Sequence, residues 1–162
     1  MAFVIKNLRE RFFSFFPLIL LFYISFVGAS VLNLKFFSIN IHYILIYYWV
    51  LRSGLGFGFI FISGVITDVV LGLPLGVTPL TLLVIAGVAT YVRVVTVRIS
   101  LVTDWISFIP ALLFADFVYY MSLYFLDFSI DYFNLFTSSV FTLAFYPLLW
   151  ILFSLISNVN RN

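Results

Sequence analysis

The sequence predicts an all-α, polytopic membrane protein: a bundle of six transmembrane helices with both termini on the cytoplasmic side. Three observations predict it. Of 162 residues, 65% are hydrophobic and only 9% are charged, against about a quarter charged in a soluble domain. Several charge-free runs approach or exceed the roughly 20 residues that a helix needs to cross a bilayer, and they are apolar on all sides rather than alternating as β-barrel strands do. The basic residues, finally, fall on alternate connections, as cytoplasmic ends require.

The elements follow in order. The segment MAFVIKNLRERF carries Lys6, Arg9, Glu10 and Arg11, and no charge follows from Phe12 to Leu34. A secretory signal would also begin this way, with Val27-Gly28-Ala29 as its small-residue site, but the apolar run is long for a signal and further spans follow. The first helix is therefore expected over about 12–32. A linker with Asn33 and Lys35 leads to a short second helix, 39–51 (INIHYILIYYWVL). Arg52-Ser53-Gly54 turns into a third, about 54–71, and Gly72-Leu73-Pro74-Leu75-Gly76 turns into a fourth, about 77–97. The fifth runs over about 103–125. After an acidic turn, Asp127 to Asp131, the sixth covers about 132–157. Residues 1–162 thus form one membrane domain, with connections too short for an extramembrane domain.

Threading these six helices from an inside N-terminus puts Lys6, Arg9, Arg11, Arg52, Arg93, Arg98 and Arg161 on the cytoplasmic side and only Lys35 outside. Five spans, or a merged 39–71 helix, would break that pattern. Trp49, Trp105 and Trp150 fall towards cytoplasmic helix ends, as belt residues do. Arg52, Arg93 and Arg98 are the expected contacts to anionic lipid or a cytoplasmic partner.

Composition excludes much chemistry. With no cysteine, there is no disulfide, thiol nucleophile or Cys-based metal site. His42 is the single histidine and no catalytic motif surrounds it, so no serine has an evident base; it is expected at the outer interface. A net charge of +2 is too small for a nucleic-acid surface. Ser53–Gly58 lacks the lysine and the preceding strand of a phosphate loop. No catalytic residue, metal ligand or cofactor site is predicted.

Two features remain. At 100° per residue Gly54, Gly58, Asp68 and Gly72 share one face of the third helix, with Gly64 on its flank. Gly54-xxx-Gly58 is a small-xxx-small pair, so this face is expected to be a packing seam, inside the bundle or against a partner. Asp68 and Asp116 lie in the outer half of the membrane at comparable depth, with no basic residue nearby in this threading. An ionised aspartate in hydrocarbon costs at least ~2.5–3.5 kcal/mol, so each needs a partner. Hydroxyls of Thr67, Thr78, Thr81, Tyr119 and Tyr120, or backbone groups freed around Pro74 and Pro79, are the candidates. The functional reading is a polar pocket for a proton or small ligand, made by Asp68, Asp116, Tyr119 and Tyr120. The structural reading is a set of interhelical hydrogen bonds that fix the bundle, and it is preferred, because transport sites use more polar groups or paired broken helices.

Residues 47–93, YYWVLRSGLGFGFIFISGVITDVVLGLPLGVTPLTLLVIAGVATYVR, and the later FADFVYYMSLYF around Asp116 resemble MreD, the small integral membrane subunit of the bacterial rod-shape machinery. The pattern G-x-x-x-D…G-x-x-x-G is carried here by Gly64, Asp68, Gly72 and Gly76, with Pro74 and Gly76 in the turn. The resemblance implies a non-enzymatic inner-membrane scaffold acting with MreC, the actin-like MreB, the glycosyltransferase RodA and a class B penicillin-binding transpeptidase. The family's membrane region is also similar to the substrate-binding subunits of vitamin transporters. That makes a small-molecule-binding or transport subunit the alternative.

Overall fold

The computed structural model describes the backbone of residues 2–28, 31–34, 37–96, 100–128 and 131–158, with side chains over 15–28, 38–96, 100–128 and 131–155. Six helices are present: α1 (Ala2–Val27), α2 (Ile41–Ser53), α3 (Phe57–Leu71), α4 (Val77–Val95), α5 (Leu101–Phe125) and α6 (Tyr132–Asn158). Two strands, β1 (Val31–Leu34) and β2 (Phe37–Asn40), lie between α1 and α2. Among the described residues three helices, α4, α5 and α6, are long and apolar enough to cross a membrane, while Phe15–Val27 and Phe57–Leu71 are shorter apolar helices.

The linker that the sequence left irregular is an antiparallel hairpin, with Val31 opposite Asn40 and Leu34 opposite Phe37. It also shortens the first helix, which stops at Val27 rather than near residue 32. A two-stranded ladder lets this connection satisfy its own backbone N–H and C=O groups, a requirement wherever water is scarce.

The centre of the bundle is α2. Every residue from His42 to Leu51 is buried, packed among α1, α4 and α6. Its sequence is apolar or aromatic all round, which is the pattern of a helix surrounded by protein rather than one with a wet face. At 1.5 Å per residue its 13 residues extend only about 20 Å, short of the hydrocarbon thickness. In lipid, enclosing α2 gains little from the hydrophobic effect, because lipid tails are as apolar as leucine; close packing and hydrogen bonds hold it instead. The Tyr47 ring meets Phe108 edge-on at 5.0 Å and Tyr146 at 6.1 Å, Phe108 stacks on Tyr146 at 4.5 Å, and the Tyr47 hydroxyl donates to Ser107 Oγ at 2.9 Å.

Proline sets one further contact. Pro147 inside α6 has no N–H to offer the carbonyl four residues back. That carbonyl, of Leu143, accepts the indole N–H of Trp105 at 2.9 Å, so a tryptophan expected only as a belt residue joins α5 to α6.

The expected glycine seam needs correction. Gly54 does not begin α3; it ends α2 in the left-handed region, φ 70° and ψ 62°, which side chains with a Cβ avoid. The third helix starts three residues later, at Phe57, so Gly54 and Gly58 do not share a helix face. Gly58 is exposed, and a Cβ added to it meets no atom within 4 Å. The close approach is made by Gly64: a Cβ there would lie 2.6 Å from Cα and 2.7 Å from N of Pro79. Gly64 is thus where the backbones of α3 and α4 touch. Gly64→Ala should destabilise the protein by roughly 1–3 kcal/mol through enforced backbone movement, whereas Gly58→Ala should be neutral or slightly stabilising. Unfolding in detergent micelles followed by circular dichroism checks both, and equal effects at the two positions would contradict this packing.

Candidate functional site

Asp68 lies in the last turn of α3 and is fully buried. Its Oδ2 accepts the backbone N–H of Gly76 at 2.7 Å and its Oδ1 accepts that of Thr78 at 3.1 Å. These donors belong to the start of α4, which has no side-chain cap of its own, and the first N–H groups of a helix have no intrahelical partner. A carboxylate at the positive end of a helix is stabilised by both hydrogen bonds and dipole. This is why Asp68 needs no cation. Its backbone carbonyl also accepts from Leu73 N at 2.9 Å, and Gly72, φ 66°, ends α3 there. The five residues from Gly72 to Gly76 are therefore tied to one aspartate. The hydroxyls of Thr67 and Thr81 are engaged elsewhere, donating to Ser63 O and Val77 O.

Close to this turn is a cavity of about 360 Å³. It lies among the first residues of α2, α4 and α6 and the last turns of α3 and α5, so it occupies one end of the bundle. Its polar wall includes Asn40, His42, Thr67, Asp116, Tyr119 and Ser138, and Leu71, Leu82 and Leu123 supply apolar surface. Of the predicted pocket residues, Asp116 and Tyr119 line it; Asp68 and Tyr120 are not among its lining residues. Asp68 is consumed by the α4 cap. Tyr120 instead stacks with Tyr124 at 6.2 Å and approaches Tyr132 at 5.6 Å. Asp116 is half-buried and its Oδ2 accepts from Ser139 Oγ at 2.5 Å.

His42 is not interfacial: it is buried and lines this cavity. Its Nε2 lies 3.2 Å from Ser25 Oγ, a serine–histidine pair with no local signal in the sequence. Ser25 Oγ also lies 2.9 Å from Leu21 O, and His42 Nε2 lies 3.5 Å from that same carbonyl, so the three groups form one buried polar cluster. Ser25 is also fully buried.

The opposite end of the bundle holds Arg52 and Arg93. The Arg52 guanidinium sits 4.7 Å from the Tyr48 ring centre and 5.0 Å from that of Trp150, a cation–π geometry. Trp150 Nε1 donates to Asp104 Oδ2 at 2.8 Å. Arg93 is exposed and reaches back to Val50 O at 3.4 Å. Arg98 lies outside the described residues. Asp104 was not singled out in the sequence, although Ser100, whose side chain accepts from Thr103 N at 3.3 Å, marks the start of α5 immediately before it. Among the described residues no three His, Cys, Asp or Glu side chains gather as a metal site would require.

Comparison with protein families, with characterised proteins and with solved structures gives no match. Chemistry must therefore be argued from the geometry itself.

Asp68→Ala would strand two N–H groups in a buried turn and should cost about 2–4 kcal/mol. Asp68→Asn keeps one acceptor and should fall between. Thermal unfolding of the purified variants measures this, and an alanine variant as stable as the parent would contradict the anchoring role.

Proposed function

We propose that this chain is a non-enzymatic scaffold subunit of the bacterial cell-shape and wall-elongation machinery, spanning the inner membrane six times with both ends inside. The resemblance of residues 47–93 to MreD supports this reading. The structural observation that carries it is the outward face of α3. Gly58, Ile62 and Val69 are exposed together on one face of this helix, while Gly64 and Asp68 are buried and spent on internal packing. A glycine open to its surroundings on an apolar helix is where another helix backbone can approach closely in lipid. The proposed occupant is the single membrane helix of an MreC-type protein, with MreB, RodA and a class B transpeptidase joined in the larger complex.

Sidedness follows from charge. Arg52 and Arg93 stand at the end opposite the cavity, and cytoplasmic ends collect such residues. The short α2 and the β1–β2 hairpin together make the second crossing. A second reading, a small-molecule-binding or transport subunit, is favoured by the cavity at the outer end.

The scaffold reading is tested by co-expression with an MreC-type partner and affinity recovery of the complex. Gly58→Leu, which meets no atom of its own chain near that position, should insert normally yet recover about tenfold less partner. Unchanged recovery would remove this face as the contact.

A further inference from the structure

The cavity at the α3–α4 turn has a chemical bias that narrows what it can hold. At about 360 Å³ it lies at the small end of ligand-pocket sizes, roughly 300–1,000 Å³. Two carboxylates line it, Asp116 and Asp131, and among the described residues no lysine or arginine does. Buried aspartates elsewhere in the chain are compensated. Asp68 has two helix N–H donors, and Asp104 has the Trp150 indole with the Arg52 guanidinium stacked on that same ring. Asp116 accepts from a neutral hydroxyl, Ser139. An intramembrane carboxylate without a cation is costly, and such residues mark ion or ligand sites.

The neutral groups point the same way. The buried Nδ1 of His42 has no partner among the described residues, and it is an acceptor when Nε2 carries the ring proton. Asp131, at the start of α6, already accepts from Asn134. The charge on this wall is therefore negative, with neutral hydroxyl and amide groups beside it, while Leu71, Leu82 and Leu123 supply an apolar surface. An ammonium group, with three donors and no acceptor, complements the first; a short hydrocarbon or aromatic body complements the second.

We propose that this cavity binds a small organic cation, an ammonium group on an apolar body, with Asp116 as its counter-charge. The proposal is independent of any helix docked on α3. Its test uses the full chain in detergent with three matched probes: 2-phenylethylamine, neutral 2-phenylethanol and anionic phenylacetate. Calorimetric titration should show the amine binding at least about tenfold tighter than either analogue, and Asp116→Asn should remove that preference. Ser138→Phe, which fills the cavity from α6 and leaves every charged residue in place, should abolish amine binding. The same titration in nanodiscs then identifies the source: competition by phosphatidylethanolamine places the ammonium on a lipid headgroup, and lack of competition places it on a free amine. Equal binding of amine and alcohol, an amine preference retained in Asp116→Asn, or full binding in Ser138→Phe would each overturn the proposal.

Discussion

The arrangement of this protein depends on one buried carboxylate. Asp68 ends α3, yet both of its oxygens serve the first turn of α4. A charge that would be prohibitive in hydrocarbon becomes stabilising because a helix N-terminus offers N–H groups with no other partner. The turn is then closed and the two helices leave it in fixed directions. Their backbones can meet only because Gly64 lies beneath Pro79, and α4 in turn covers one side of the buried helix α2.

Asp68, Asp104 and Asp116, the aspartates carried inside α3 and α5, meet the same physical problem with different partners. Asp68 uses backbone N–H groups, and Asp104 uses an indole N–H whose ring also carries the Arg52 guanidinium. Asp116 uses a serine hydroxyl and a cavity. The first two are bound into the framework by strong, directional donors and contribute rigidity. The third lines the cavity together with His42, Tyr119 and Asp131. Rigidity on one side of the α3–α4 turn and a cavity on the other are consequences of where helix ends fall relative to the acids.

Much of this was legible in the sequence. Apolar runs and Gly/Pro punctuation located the helices, and the spacing Gly64, Asp68, Gly72, Gly76 marked the hairpin and the role of Asp68 as its anchor. What misled was treating helix periodicity as continuous through Gly54. That glycine is a left-handed stop, so Gly58 was assigned to a face it does not share. The β1–β2 hairpin was missed because its apolar residues read equally well as a linker or as the end of a helix. The pairing of His42 with Ser25, seventeen residues apart on different helices, has no local signal at all. Nor does the cavity, which arises from the ends of five helices and exists only once they are assembled. Asp104 was within reach, since a serine cap and an acid in the first turn are a recognised helix start.

We propose that the Asp68 turn and its cavity face the outer side of the membrane and that the end bearing Arg52 and Arg93 faces the cytoplasm. Because the chain has no cysteine, labelling of single introduced cysteines by a membrane-impermeant maleimide tests this directly in intact cells whose outer membrane is permeable to the reagent. Leu75→Cys, in the exposed turn, should label in intact cells, and Ser53→Cys, at the exposed end of α2, should label only after lysis. The reverse pattern, or equal labelling of both before lysis, would contradict it.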